Sequence, residues 1–248
     1  MRQVLLAEWT KLRTVPSTLW TLLITGITAL GGSIILAVPS AGDPNAPFDP
    51  VTGTYLAWGE YPVLAVGILG ALTVTSEYAT GQIRTTFSAV PRRLHVLAAK
   101  AGVVGALVLV ATEVLAWVAF GATEISLAVH HRAVSLGDPG VVRSVTMAGV
   151  SMTAVALLSV GIGAIARHTV GAVVALPAVA FLPLVLLSLP WSWGSQVGRF
   201  GLLAAAYQLV SPTAHHTLLP VWAAAAVLLT WPIATLIAGA VLIMRRDV

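Results

Sequence analysis

Apolar residues in this chain come in long unbroken blocks, with the polar residues confined to short stretches between them. A helix needs about 18–20 apolar residues to cross hydrocarbon. Six blocks reach that length, at approximately 18–38, 57–76, 96–120, 144–166, 169–189 and 221–244. The first exceeds the usual 7–15-residue apolar core of a signal peptide, so it reads as a retained span that ends at Pro39. Ahead of it, residues 2–14 (RQVLLAEWTKLRT) are too polar to span. At 100° per residue Leu5, Leu6, Trp9 and Leu12 share one arc, and Lys11 lies off it. This is the pattern of a short helix lying in the membrane interface, with Arg2 and Arg13 free to snorkel at its ends.

The connections are read the same way. Residues 39–58 form a Pro/Gly/Asp-rich loop without Lys or Arg, and Trp58 and Tyr61 are expected as interfacial aromatics beside Glu60. A loop containing Glu124, His130, His131, Arg132 and Asp138 follows the third block. Arg167 and His168 make a tight turn between the fourth and fifth, and Pro177 and Pro183 should bend or loosen the fifth. Segment 190–220 opens on Trp191 and Trp193. It contains a run, 198–210, too short to span and expected to lie in or dip into the outer interface. The fold class expected is an all-α polytopic membrane protein: one transmembrane domain of six helices with an interfacial N-terminal helix.

Composition agrees with this reading. Of 248 residues 58% are hydrophobic and only 9% charged, against about 25% charged in soluble domains. The absence of cysteine excludes disulfides and thiolate chemistry. No GxxxxGK[ST], HExxH or GxSxG motif occurs, so neither catalysis nor a cofactor is expected in this chain. The net charge of +4 is explained by orientation, and no nucleic-acid partner is expected. Alternating the loops puts Arg2, Lys11, Arg13, Arg84, Arg92, Arg93, Lys100, Arg167, Arg245 and Arg246 on one side. Arg132, Arg143 and Arg199 fall on the other. Basic residues stay on the cytoplasmic side, which gives both termini inside. Two lysines against eleven arginines, with abundant Ala, Val and Gly, suggest a GC-rich bacterial genome and hence a bacterial plasma membrane. The pairs His130-His131 and His215-His216 fall outside and read as solvated loop or interfacial residues rather than metal ligands. Glu113, alone in mid-span, is the intramembrane polar candidate, for a structural or a transport role.

The polar island at 77–100, EYATGQIRTTFSAVPRRLHVLAAK, is the stretch that most needs a purpose. Gly81 suits the end of the second span. Ile83, Phe87 and Val90 fall at i, i+4, i+7, an apolar stripe on a helix of about two turns. Pro91 suits the first turn of the next helix, and Arg92, Arg93 and Lys100 are expected at headgroup level. Such a helix can dock in a groove of a cytoplasmic partner, or the stretch can simply rest on anionic lipid.

The sequence Glu77-Tyr78…Gly81…Arg84…Pro91-Arg92-Arg93…Lys100 resembles membrane (permease) subunits of ABC exporters with six spans and an N-terminal elbow helix. The opening EWTKLRT, residues 8–14, is similar to that elbow in actinobacterial members. The resemblance implies that the region around Gln82–Ser88 is a coupling helix contacting a separate ATP-binding subunit, which carries the ATP and magnesium. On this basis the coupling region comprises Glu77, Gly81, Gln82, Ile83, Arg84, Phe87, Pro91, Arg92, Arg93 and Lys100. It further implies two permease copies, a homodimer or a related heterodimer, flanking the translocation path. The apolar spans suit a hydrophobic or amphipathic cargo. The alternative is a membrane sensor or scaffold whose basic loop recruits a cytoplasmic protein. A secondary transporter is disfavoured, because Glu113 stands alone at depth.

Overall fold

In a computed structural model, residues 2–42, 50–59, 61–90, 92–129, 134–213, 215 and 217–245 are described. Among them the chain is all-helical: α1 (Arg2–Thr14), α2 (Pro16–Gly42), α3 (Pro50–Leu56), a 3-10 turn (Ala57–Gly59), α4 (Tyr61–Ala79), α5 (Gln82–Ala89), α6 (Arg93–Val129), α7 (Val141–Ala166), α8 (Thr169–Ser188), α9 (Ser192–Gly198), α10 (Leu202–Val210) and α11 (Val221–Arg245). Six of these, α2, α4, α6, α7, α8 and α11, are long and apolar enough to cross a membrane, as expected of a multi-pass membrane protein.

The bundle is built around α7. Its central window is 78% buried, against 22% or less for α2, α8 and α11, which turn residues such as Ile27, Ile35, Val170 and Trp222 outward. Packing against α4, α6 and α11 leaves α7 little exposed surface. Small residues permit this closeness. A Cβ at Gly70 of α4 would strike the carbonyl oxygen of Ala156, and one at Gly161 would lie 2.6 Å from the Thr235 backbone of α11. Without a hydrophobic drive between helices in lipid, such backbone approach supplies much of the packing attraction.

Several expectations are corrected. Helix α2 runs past Pro39 to Gly42, carrying the proline in its last turn at the loss of one i→i−4 hydrogen bond. Part of the 39–58 loop is helical. Helix α3 turns Val51, Thr54 and Tyr55 into the bundle, and Trp58 is buried, its Nε1–H donating to Ser33 Oγ at 3.1 Å. Trp58 is therefore a core residue, whereas Tyr61 is exposed as expected. Helix α6 extends beyond residue 120 and includes Glu124, whose carboxylate accepts from the Val134 N–H at 2.7 Å. At 37 residues α6 is about 55 Å long, so both ends outreach a hydrocarbon core of about 30 Å. Helix α8 carries Pro177 and Pro183 within its span. The run expected at 198–210 to lie in or dip into the interface contains α10, which enters the bundle: Leu202, Ala204, Ala205, Gln208 and Leu209 are buried against α7, α8 and α11. Arg143 clamps its far end, donating to the carbonyls of Ser211 and Pro212 at 2.6 and 3.0 Å.

Close packing at α7 makes a simple prediction. Gly70→Leu should cost about 1–3 kcal/mol by overpacking and lower the melting temperature in detergent. Gly102→Ala, which adds a methyl inside α6 where nothing lies within 4 Å, should leave it the same or raise it slightly. Differential scanning fluorimetry of the two variants checks this.

Candidate functional site: an ion cluster beneath a short amphipathic helix

Helix α4 stops at Ala79, and the chain turns through Thr80 and Gly81, whose φ of 72° is readily available to glycine. Helix α5 follows at once. Its apolar stripe faces inward: Ile83 is 4% exposed, and Phe87 packs on the core beneath the Arg93 guanidinium, 5.3 Å from the ring centroid. Val90 is half-buried. This corrects the expectation that Ile83, Phe87 and Val90 form a free docking face. The chain's own bundle covers that stripe, and the face left exposed carries Gln82, Arg84, Thr85, Ser88 and Ala89. Arg92 is also exposed. Pro91 lies outside the described residues.

Near the start of α5, where Gln82 lines the same small cavity, sits a cluster of four charges that sequence spacing did not reveal. Lys100 Nζ on α6 donates to Glu77 Oε1 on α4 at 2.6 Å, to Glu8 Oε2 on α1 at 2.8 Å and to the Thr73 carbonyl at 3.1 Å. All three of its protons are thereby used. Lys11 Nζ on α1 donates to the same Glu77 Oε1 at 2.6 Å and to Glu8 Oε1 at 2.9 Å. Glu8, Glu77 and Lys100 are each at most 5% exposed, while Lys11 reaches the surface. Lys100 is therefore an internal cation, not a headgroup contact, because two carboxylates in this pocket replace the water it would otherwise need. Two carboxylates against two ammoniums leave the cluster neutral.

Helix α1 is held by this chemistry as much as by its apolar arc. Leu5 and Leu12 pack inward with Glu8, but Leu6 and Trp9 of the same arc are exposed. Burial works against the charge on Lys11, yet its hydrogen bonds to Glu77 and Glu8 outweigh that and hold its pKa above the ordinary lysine value. A second set of basic contacts ties the end of α11 to the same level. Arg93 donates to the Ile243 carbonyl at 3.1 Å, and Arg167 to the Leu242 carbonyl at 3.0 Å, with Arg167 stacked over Tyr78.

Glu113 lies elsewhere, about 20 Å along α6 from Lys100. Its carboxylate sits over Gly149 of α7, where an added Cβ would fall 2.6 Å from Oε1, and the Trp117 side chain is a hydrogen-bond partner. Next to it Thr112 Oγ1 donates to the Gly149 carbonyl at 3.1 Å. The arrangement is one of helix packing, and it keeps Glu113 apart from the charged cluster. His215 stacks on Tyr207 and its ring lies 3.2 Å from Ser211 Oγ, while His130, His131 and His216 lie outside the described residues. No grouping of His, Asp and Glu able to hold a metal occurs among the described residues. Comparison with models of protein families, with curated proteins and with solved structures finds no match to this chain.

Breaking a buried ion pair from one side strands the other charge, at a cost of about 3–5 kcal/mol. Lys100→Met should be destabilising on that scale, and Lys100→Met with Glu77→Met, which restores neutrality, should recover a substantial part. A double-mutant cycle on thermal melting in detergent measures the coupling. Lys11 has a signature of its own. Because its folded pKa is raised, its contribution is complete below the ordinary lysine range and is lost as pH climbs through the raised value. Lys11→Gln should therefore remove part of the wild-type fall in melting temperature at strongly alkaline pH.

Proposed function

We propose that this chain is the membrane-spanning permease subunit of an ABC exporter in a bacterial plasma membrane. Two permease copies would work with two copies of a separate ATP-binding subunit, moving a hydrophobic or amphipathic cargo. The observation that carries this reading is α5. A short helix between two candidate spans has its apolar side held by the bundle, while its polar side, with Arg84 and Gln82, is free for a partner. The ion cluster joins the two spans between which α5 is strung, and Gln82 of α5 lines the same small cavity as Glu8, Lys11, Glu77 and Lys100. A push on α5 would thus meet a stiff junction of three helices and not a loose loop.

The remaining support comes from the charge count. Ten basic residues on the side of α5 against three on the other favour cytoplasmic termini, which makes α1 the elbow helix at the inner surface. The absence of a phosphate-binding glycine loop in this chain gives α5 a reason to meet an ATPase. ATP-driven closure of that partner would move α5, and through it the ends of α4 and α6, changing access to the path between the permease copies.

The contacts found for Arg93 sharpen the test. Arg93 is tied to Ile243 and Phe87 and would report on folding, so charge reversal belongs at the exposed pair. Arg84→Glu with Arg92→Glu should leave melting unchanged. It should also reduce co-purification with an ATPase encoded by a neighbouring reading frame at least tenfold, and uncouple its ATP hydrolysis from this chain. Undiminished association and coupling in that variant would remove the exporter reading.

A further inference from the structure

A cavity of about 410 Å³ lies between α3, α7, α8 and α10, away from the ion cluster. Aromatic side chains from three of its walls (Tyr55, Phe181, Tyr207) face it with Trp58, and Met152 and Ala206 complete an apolar lining. Among the described residues that line it, none is charged. Its volume is in the range of sites that bury a drug-sized molecule.

The polar groups of the wall are nearly all committed to the protein. Tyr55 donates its hydroxyl to the Ala116 carbonyl at 3.1 Å, and Trp58 donates to Ser33. Two serines of α7 differ: Ser151 and Ser159 are 2% and 0% exposed, and neither Oγ has a hydrogen-bond partner among the described residues. Elsewhere on α7 the hydroxyls of Ser144, Thr146 and Thr153 turn back to the carbonyl four residues earlier, at 2.8, 2.9 and 3.0 Å. That return bond is the ordinary way to satisfy a helical hydroxyl in apolar surroundings. Both forgo it, Ser159 where it packs against Gly67 and Gly70 of α4 and Ser151 at the wall of the cavity. Of the two, only Ser151 stands where a ligand atom could complete its hydrogen bonding.

We infer that this cavity binds an uncharged, largely apolar molecule that presents one hydrogen-bonding group, such as a hydroxyl or ester, to Ser151. A charged head would be left unpaired among aromatic and aliphatic side chains, so cations and anions are disfavoured. The source is either a neutral membrane lipid or a free hydrophobic molecule, since both offer the same chemistry. Unlike the coupling reading above, this assignment requires no ATPase.

The experiment uses the full chain in phosphatidylcholine nanodiscs with a diazirine-bearing long-chain alcohol as photoprobe and its quaternary-ammonium counterpart as control. The alcohol should label peptides around Ser151–Met152 and Ala206–Tyr207 saturably, competed by unlabelled alcohol, with the ammonium probe at least tenfold weaker. Ser151→Ala should weaken labelling by the alcohol about three- to tenfold, the worth of one hydrogen bond, at unchanged melting temperature. Ala206→Phe, which fills the cavity, should abolish it. Native mass spectrometry identifies the source. A co-purified neutral lipid displaced by the alcohol marks a membrane lipid, and its absence marks a free molecule; either supports the site. Labelling spread over α2 and α11 and indifferent to both substitutions overturns it, as does equal labelling by the ammonium probe. Association with the ATPase is a separate readout, so failure here and failure of the exporter reading are told apart.

Discussion

Three charges withdrawn from water, with Lys11 closing the cluster at the surface, hold three helices in one register. Placing Glu8, Glu77 and Lys100 inside the bundle carries a desolvation cost of several kcal/mol per ion, which is recovered only if every partner sits at hydrogen-bond distance. The consequence is a constraint on position more than a gain in stability. The N-terminal helix, the end of α4 and the beginning of α6 must lie at one level, because Glu77 Oε1 is shared by Lys11 and Lys100 at 2.6 Å each. Helix α5 bridges the same two spans through connections of only two or three residues. Its place is therefore set by the cluster beneath it and by the burial of Ile83. Arg93 and Arg167 extend the junction to the end of α11.

The opposite half of the molecule is organised by apolar contact. Helix α7 approaches α4 and α11 closely enough that Gly70 and Gly161 accept no side chain. Its neighbours α3 and α10, neither long enough to span, fill what would otherwise be gaps beside it. They fill them incompletely, and the space they leave is the cavity at Ser151. The two halves thus differ in kind: one is pinned by charge at fixed distances, the other is packed around a vacancy of molecular size.

Much of the fold was legible because block length speaks directly to bilayer thickness. The six long helices and the short helix at the N-terminus follow from apolar runs and their interruptions. Amphipathic periodicity also located α5, yet it could not say which side of the stripe meets the bundle and which meets a partner. The ion cluster escaped for a different reason. Glu8, Glu77 and Lys100 are 69 and 23 residues apart in sequence, and no helical period relates them; only tertiary packing does. A signal was nonetheless present. In a chain with nine acidic residues, Glu8 falls on the same side of the first helix as Leu5 and Leu12, where a carboxylate needs a buried partner. Trp58 and the buried face of α3 were missed because a Pro/Gly-rich composition predicts a loop but does not say whether a helical turn inside it finds a core to enter.

One element joins the charged half to the packed half. Helix α4 carries Glu77 at one end and, two turns back, Gly70 against Ala156 of α7. Ser151 stands just over one turn farther along α7, in the wall of the cavity. A displacement of α4 along its axis would therefore strain the cluster and the Gly70–Ala156 contact together, since neither tolerates sliding. Rotation of the paired helices as one body would preserve both. Continuity of packing becomes coupling only when the elements along it have two arrangements of similar energy. The junction at Glu77 has its partners fixed at hydrogen-bond distance, so it has little freedom to take a second arrangement. The incompletely filled space at Ser151 is where α7, α8 and α10 have room for one.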